Sequence, residues 1–138
     1  MSRGYRNCNP GNIRRSGVRY RGETDGQDPA FKSFASMAWG FRAMFTVLHT
    51  YRVRYGCRTL RAMIGRYAPP SENDTQAYIC AVSRWSGVPS DEELNTLDGA
   101  VMRPVAAAMA RVENGAAACD DDVAEGWRLF ASDFGDGV

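Results

Sequence analysis

From Met37 onward, apolar residues recur at helical spacing: Phe41, Met44, Phe45, Leu48, Tyr51 and Tyr55, with a stop at Gly56. Ser36 is a natural N-cap, so the pattern predicts the longest amphipathic helix of the chain and the spine of its core. Thr59 caps a shorter helix through Tyr67, which Pro69-Pro70 ends because neither proline has an N–H to donate. Asn73 or Asp74 caps a third helix over residues 75–85, with Gly87 behind it. Ser90 with Glu93 has the capping-box form and is expected to open a single turn. Thr96 or Asp98 starts a helix that reaches Glu113, and Pro104 should kink it or mark its true start. Asp120, Asp121 and Asp122 suit the positive end of a last helix over residues 123–131, whose apolar face is Val123, Trp127 and Phe130. The tail SDFGDGV is expected to fray.

Residues 1–35 lack this periodicity. Asn9-Pro10-Gly11-Asn12 is strong turn chemistry, and residues 21–26 form a second turn candidate. A loose alternation over residues 13–20 and the short AFKSF stretch at 30–34 predict two or three short strands in otherwise irregular chain. The expected fold class is therefore mainly α (α+β). It comprises one domain over residues 1–138, a helical body with a small N-terminal β or irregular lobe.

Charge changes this picture more than composition does. Residues 1–70 carry 13 basic and 3 acidic side chains, whereas residues 71–138 carry 4 and 13. Either the basic half meets a polyanion, or the two halves pair with each other in the fold. No nucleic-acid-binding motif is present, and nucleic acid is not an expected partner. Cys8, Cys57, Cys80 and Cys119 are scattered, and His49 is the one nitrogen that could join them, so no metal site is expected. The cysteines read as small buried hydrophobes and His49 as a helix-surface or core-edge residue. No apolar run is long enough to span a bilayer, and the start MSRGYRNCNPGN has no apolar core of a secretory signal. Synthesis in the cytoplasm is expected, with delivery by other means if the protein acts outside.

With one histidine, no G-x-S-x-G elbow and no phosphate or dinucleotide loop, what remains is carboxylate chemistry. The acids flanked by turns or helix ends are Glu113, Glu72, Asp74, Glu23 and Asp25. Glu113 is distinctive because it falls in the last turn of an alanine-rich helix that Gly115 should stop. The negative end of the helix dipole disfavours a carboxylate there by about 0.3–1 kcal/mol when exposed. It is either an awkward surface residue or an acid whose pKa is pushed up, as a general acid requires.

The run Arg6-Asn7-Cys8-Asn9-Pro10-Gly11-Asn12-Ile13-Arg14 resembles the RNNNPGNIR opening of phage-derived lysins and virion-associated muralytic proteins. The likeness continues through Phe31 to Phe34, Trp39-Gly40-Phe41-Arg42-Ala43 and Tyr55-Gly56. It is strongest at Tyr67-Ala68-Pro69-Pro70-Ser71-Glu72-Asn73-Asp74-Thr75, with Tyr78-Ile79 and Val82 after it, and it ends at Glu113-Asn114-Gly115. Cys8 departs from the usual Asn, and Arg111-Val112 precede the Glu where relatives often read HENG.

That resemblance implies a lysozyme-like fold akin to lytic transglycosylases, which carry their acid at the C-terminal end of a helix. Thr75-x-x-Tyr78-Ile79-x-x-Val82 looks like a later helix of that fold, yet the acid helix lies downstream of it here. A circularly permuted arrangement is therefore expected, with the helix ending at Glu113 in the place of the family's first. The implied activity is cleavage of the peptidoglycan glycan strand without a cofactor, by transglycosylase or muramidase chemistry. Glu113 is the general acid/base and Glu72 the runner-up, and Glu23 or Asp25 is the best-placed second carboxylate if one is used. Asn7, Asn9, Asn12, Tyr67, Asn73, Thr75 and Tyr78 are the expected substrate-side residues, with packing or capping as the plain alternative for each. Cleavage of the peptide cross-link, or a non-catalytic virion module that binds the wall, are the other readings. Expected partners are bacterial peptidoglycan and other phage virion proteins, with action at the cell wall after delivery by a virion or holin.

Overall fold

A computed structural model of the protein describes residues 1–135. Among them are six helices and one two-stranded antiparallel sheet, so the fold is mainly α with a small β element. The helices are α1 (Arg3–Arg6), α2 (Met37–Tyr55), α3 (Leu60–Tyr67), α4 (Thr75–Ser86), α5 (Gly99–Asn114) and α6 (Asp120–Phe134). The strands, β1 (Glu23–Thr24) and β2 (Ser33–Phe34), pair Glu23 with Phe34 and Thr24 with Ser33.

The caps set the boundaries. Ser36, Thr59, Asp74 and Asp98 each accept a backbone N–H of the following first turn, of Trp39, Ala62, Ala77 and Ala100 respectively. Such a side-chain cap contributes about 0.5–2 kcal/mol. Gly56, Gly87 and Gly115 close α2, α4 and α5 in the left-handed conformation, where a Cβ would be strained.

Helix α2 is the spine. It packs chiefly against α6, while α5 lies against α4. The α2–α6 crossing is close because Gly126 faces α2: a Cβ there would stand 2.5 Å from Phe41 Cβ and 2.9 Å from the Ala38 carbonyl oxygen. Phe41, Phe45, Leu48, Met63, Ile64, Val82, Met102, Val105, Met109 and Phe130 form the buried core, with Trp127 edge-on to Phe45. At about 25 cal/mol per Å² of apolar surface removed from water, this cluster is the main stabilising term.

Several expectations are corrected. Pro104 does not start its helix, because Asp98 caps it earlier and Pro104 sits inside. Its missing N–H leaves one carbonyl of the first turn unpaired within the helix. Ser90 opens no helical turn; Glu93 instead forms an isolated bridge with Thr59, and Ser90 meets Arg61. The N-terminal lobe contains the short helix α1, capped by Ser2, beside two strands and one isolated Arg14–Phe31 bridge. The cysteines are not core residues: Cys80 and Cys119 are exposed and Cys8 and Cys57 half-buried, all as free thiols. Cys80 lies on the solvent side of α4, and Cys119 sits just before the first turn of α6. Of the expected frayed tail, residues 132–134 belong to α6 and residues 136–138 lie outside the described residues.

The charge asymmetry is partly taken up within the fold. Arg21 and Arg42 share Asp133, Arg52 and Arg58 approach Glu93, Arg61 pairs with Asp91, and Arg14 approaches Glu72. Most of these pairs are exposed, and each contributes about 0–1 kcal/mol. No helix among the described residues is long and apolar enough to cross a membrane.

Candidate active site

The N-terminal lobe is held by side chains that bond backbone. Asn9, fully buried, donates to the carbonyls of Ile13 and Lys32 and accepts from the Ile13 N–H. These bonds clamp the Pro10–Gly11 turn, so Asn9 is committed to the fold. Asp28 accepts from Arg3, Asn7 and the N–H groups of Ala30 and Phe31, which hold its carboxyl far below the usual carboxylate range. Lys32, 1% exposed at its side chain, donates to both oxygens of Glu23 and to the Val18 carbonyl.

The lobe is tied to the end of α5 by Asn114. Its amide donates to the Pro10 and Ala110 carbonyls, and its oxygen accepts from the Ser2 hydroxyl. Gly4 makes the close approach possible, since a Cβ there would collide with Asn114 Oδ1 and stand 2.7 Å from Asn12 Oδ1. The turn thus arrives beside Glu113 with a fixed register.

Both carboxylate oxygens of Glu113 are engaged. Tyr78, on α4, donates its hydroxyl to Oε2 at 2.9 Å. Asn12 donates its amide to Oε1 at 3.0 Å. Burial pushes the Glu113 pKa above its ordinary value, against the lowering effect of these two donors and of nearby Arg14. Burial and the adjacent Glu113 also drive the Tyr78 phenol well above its usual pKa, so it stays a donor.

Asn12 bears two local costs to do this. Among the described residues it is one of two non-glycine residues with positive φ, at 49°, and its buried Oδ1 has no hydrogen-bond partner there. An orphaned buried acceptor costs about 1–3 kcal/mol. Turning the amide over would place Oδ1 against the Glu113 carboxylate, so the present orientation is the one that avoids repulsion.

Glu113 lines an open cavity of ≈ 460 Å³ with Asn12, Arg14, Tyr20, Tyr51, Tyr67, Glu72 and Asn73 among its other walls. Tyr67 donates to the Gly11 carbonyl, which fixes the turn from the opposite side, and its phenol too is raised by burial first and Glu113 next. Glu72 and Asn73 are exposed at the rim; Glu72 lies 3.9 Å from Arg14, and Asn73 donates to the Pro69 carbonyl. A space of this size, with a desolvated carboxyl held by two donors and a second carboxylate at its edge, is equipped for proton transfer to a bound polar chain.

Of the residues expected from sequence, the structure brings together Glu113, Glu72, Asn12, Tyr67, Asn73 and Tyr78. It places five others elsewhere. Asn7 bonds Asp28, Asn9 staples the turn, and Thr75 donates to the Ala68 carbonyl. Glu23 is locked to Lys32, and Asp25, 93% exposed at its side chain, pairs with Arg19. Neither carboxylate lines the cavity. His49 bonds Thr96 at 2.8 Å and packs against Phe130 and Phe134 at the core edge. Arg14, Tyr20 and Tyr51 are further wall residues, not among those expected from sequence; the alternation of residues 13–20 signals a strand and the helical spacing of Tyr51 signals core, and neither pattern points to a cavity. No cluster of three or more His, Cys, Asp or Glu among the described residues is placed to hold a metal ion.

No family model matches the chain. Among curated proteins it is 38% identical over 118 residues to protein P5 of Pseudoalteromonas phage PM2, an alignment covering 83% of this chain and 72% of that protein. The chain therefore belongs to the family of this phage protein.

Proposed function

We propose that this member of the protein P5 family is a lysozyme-like muralytic enzyme that cleaves the glycan strand of peptidoglycan, with Glu113 as general acid/base. The observation that carries the reading is the state of that one side chain. Its carboxyl is desolvated enough to hold a proton above the ordinary range, yet both oxygens are gripped by Tyr78 and Asn12 within an open cavity. An acid so placed can protonate the leaving oxygen of a glycosidic bond, and its conjugate base is then stabilised by two donors already in position.

In the transglycosylase form of the reaction, Glu113 first gives its proton to the leaving sugar. It then takes one from the hydroxyl of the sugar that closes on itself. In a hydrolase, a second carboxylate would stand about 5–5.5 Å away when retaining and about 6.5–9.5 Å when inverting. Glu72 is the carboxylate that shares the cavity, so it replaces Glu23 and Asp25 in that role. The packing of α5 on α4, with Tyr78 reaching Glu113, supports the permuted lysozyme-like arrangement in which α5 takes the acid helix's place. Kinship with a phage protein supports delivery to the wall by a virion or a holin.

Mass analysis of fragments released from purified peptidoglycan tests the reading. Anhydro-sugar ends are expected for transglycosylation and new reducing ends for hydrolysis. New stem-peptide amines, or wall binding with no release by folded protein, would overturn it in favour of an endopeptidase or a non-catalytic wall-binding module.

A further inference from the structure

The cavity that holds Glu113 has a neighbour. Tyr20 and Tyr51 line both it and a larger cavity of ≈ 830 Å³, so the two adjoin at these tyrosines. Their walls differ in character. The second cavity is lined by Arg19, Arg21, Arg42, Arg54 and Arg66, and by no acidic residue among the described ones. Arg21 and Arg42 are neutralised by Asp133 and Arg19 by the exposed Asp25. Arg54 and Arg66 have no carboxylate partner among the described residues. Arg66 lies over the Tyr55 ring at 3.6 Å from the centroid and over Tyr51 at 5.2 Å. A guanidinium stacked by its face keeps its N–H edge open, and that edge matches a carboxylate in bidentate fashion.

We propose that this arginine-lined cavity receives the carboxylates of the peptide branches carried by a peptidoglycan strand, while the neutral glycan lies across Glu113. The proposal rests on the function proposed above and specifies which part of the substrate the second cavity reads. The contrast between the two cavities supports it. A continuous polyanion such as nucleic acid would be drawn to Arg54 and Arg66 but would run into Glu113 and Glu72 in the first cavity. A strand with an uncharged backbone and localised anionic branches meets both cavities favourably. Two guanidiniums with no carboxylate partner among the described residues call for a few localised charges rather than a long phosphate backbone.

The test compares kcat/KM on strands whose peptide carboxylates are free with that on the same strands with those carboxylates blocked as neutral methyl esters, for wild type and for Arg54→Ala/Arg66→Ala. Both arginines are exposed, so the double variant should fold, which circular dichroism checks. Wild type is expected to favour strands with free peptide carboxylates about tenfold, the size of one charge-assisted contact. The double variant should bring that ratio close to one. Cleavage with an unchanged ratio in the double variant, or with no wild-type preference, overturns the proposal and leaves glycan cleavage standing. If wild type releases nothing from either strand, glycan cleavage fails, and co-sedimentation with insoluble peptidoglycan decides the rest. Salt-sensitive binding lost in the double variant supports the branch contact; binding indifferent to salt and to both substitutions overturns it. Tighter binding of a DNA duplex than of peptidoglycan, lost in the same variant, overturns it in favour of nucleic acid.

Discussion

Tyr78 donates its hydroxyl to Glu113 Oε2 across 2.9 Å, linking the first turn of α4 to the last turn of α5. The phenol stabilises the ionised carboxylate, while burial of the pair opposes ionisation. Tyr78→Phe keeps the ring in the core and removes only the donor. The expected result is a fall in the rate of glycan cleavage of about tenfold, as for one hydrogen bond to a charged group. The alkaline limb of the pH–rate profile should move upward, because Glu113 loses a group that favours its charged form. An unmoved limb would mean that Tyr78 does not act on the titrating acid.

Glu113 also makes stability depend on pH, with a definite sign. Its folded pKa lies above the unfolded one, so over the interval between them the folded state holds a proton the unfolded chain has released. Wild-type stability is therefore highest below the unfolded value and falls as pH rises through the folded value. Glu113→Gln has no such proton, and its amide can still pair with Asn12 and Tyr78. The difference in melting temperature, variant minus wild type, should be smallest near about pH 4 and grow toward neutrality. A difference that shrinks with rising pH would contradict the raised pKa.

Much of this architecture is legible in the chain. Ser36, Thr59, Asp74 and Asp98 mark helix starts, and Gly56, Gly87 and Gly115 mark stops, because capping is local chemistry within a few residues. The position of Glu113 before Gly115 is legible for the same reason. What sequence does not display is the network of side chains on backbone in the first 35 residues. Asn9, in a strong turn sequence and expected on the substrate side, is fully buried; Lys32, within the AFKSF stretch, has one of the largest fully buried side chains. Their partners lie four to twenty-three positions away along irregular chain, where no periodicity announces them. Glu23 was open as a second carboxylate until that lysine is seen to occupy it.

The Glu23–Lys32 pair yields a separate expectation. Removing one partner of a buried pair strands the other charge, at a cost of about 3–5 kcal/mol. Glu23→Ala should destabilise the protein on that scale in chemical denaturation. Any loss of cleavage should track the unfolded fraction and recover under stabilising conditions. Loss of cleavage with stability unchanged would return Glu23 to the chemistry.

Cys8 stands in the left-handed region at φ 52°, where the resembling lysins usually carry Asn. A side chain other than Gly, Asn or Asp at such a position costs roughly 1–2 kcal/mol. Cys8→Asn is expected to raise stability by about 0.5–1 kcal/mol once the lost thiol packing is counted, measured by urea denaturation at an unchanged m-value. A destabilised variant would show that packing of the half-buried thiol outweighs the backbone preference.

The proposed role of Glu113 as the acid is tested most directly by the rate at which wild type and Glu113→Gln release soluble glycan fragments. Both proteins should be folded, as shown by circular dichroism, and assayed on the same purified peptidoglycan near neutral pH. A loss of about a hundredfold or more is expected in the variant, the contribution of a positioned general acid. Release by Glu113→Gln at the wild-type rate would contradict that role.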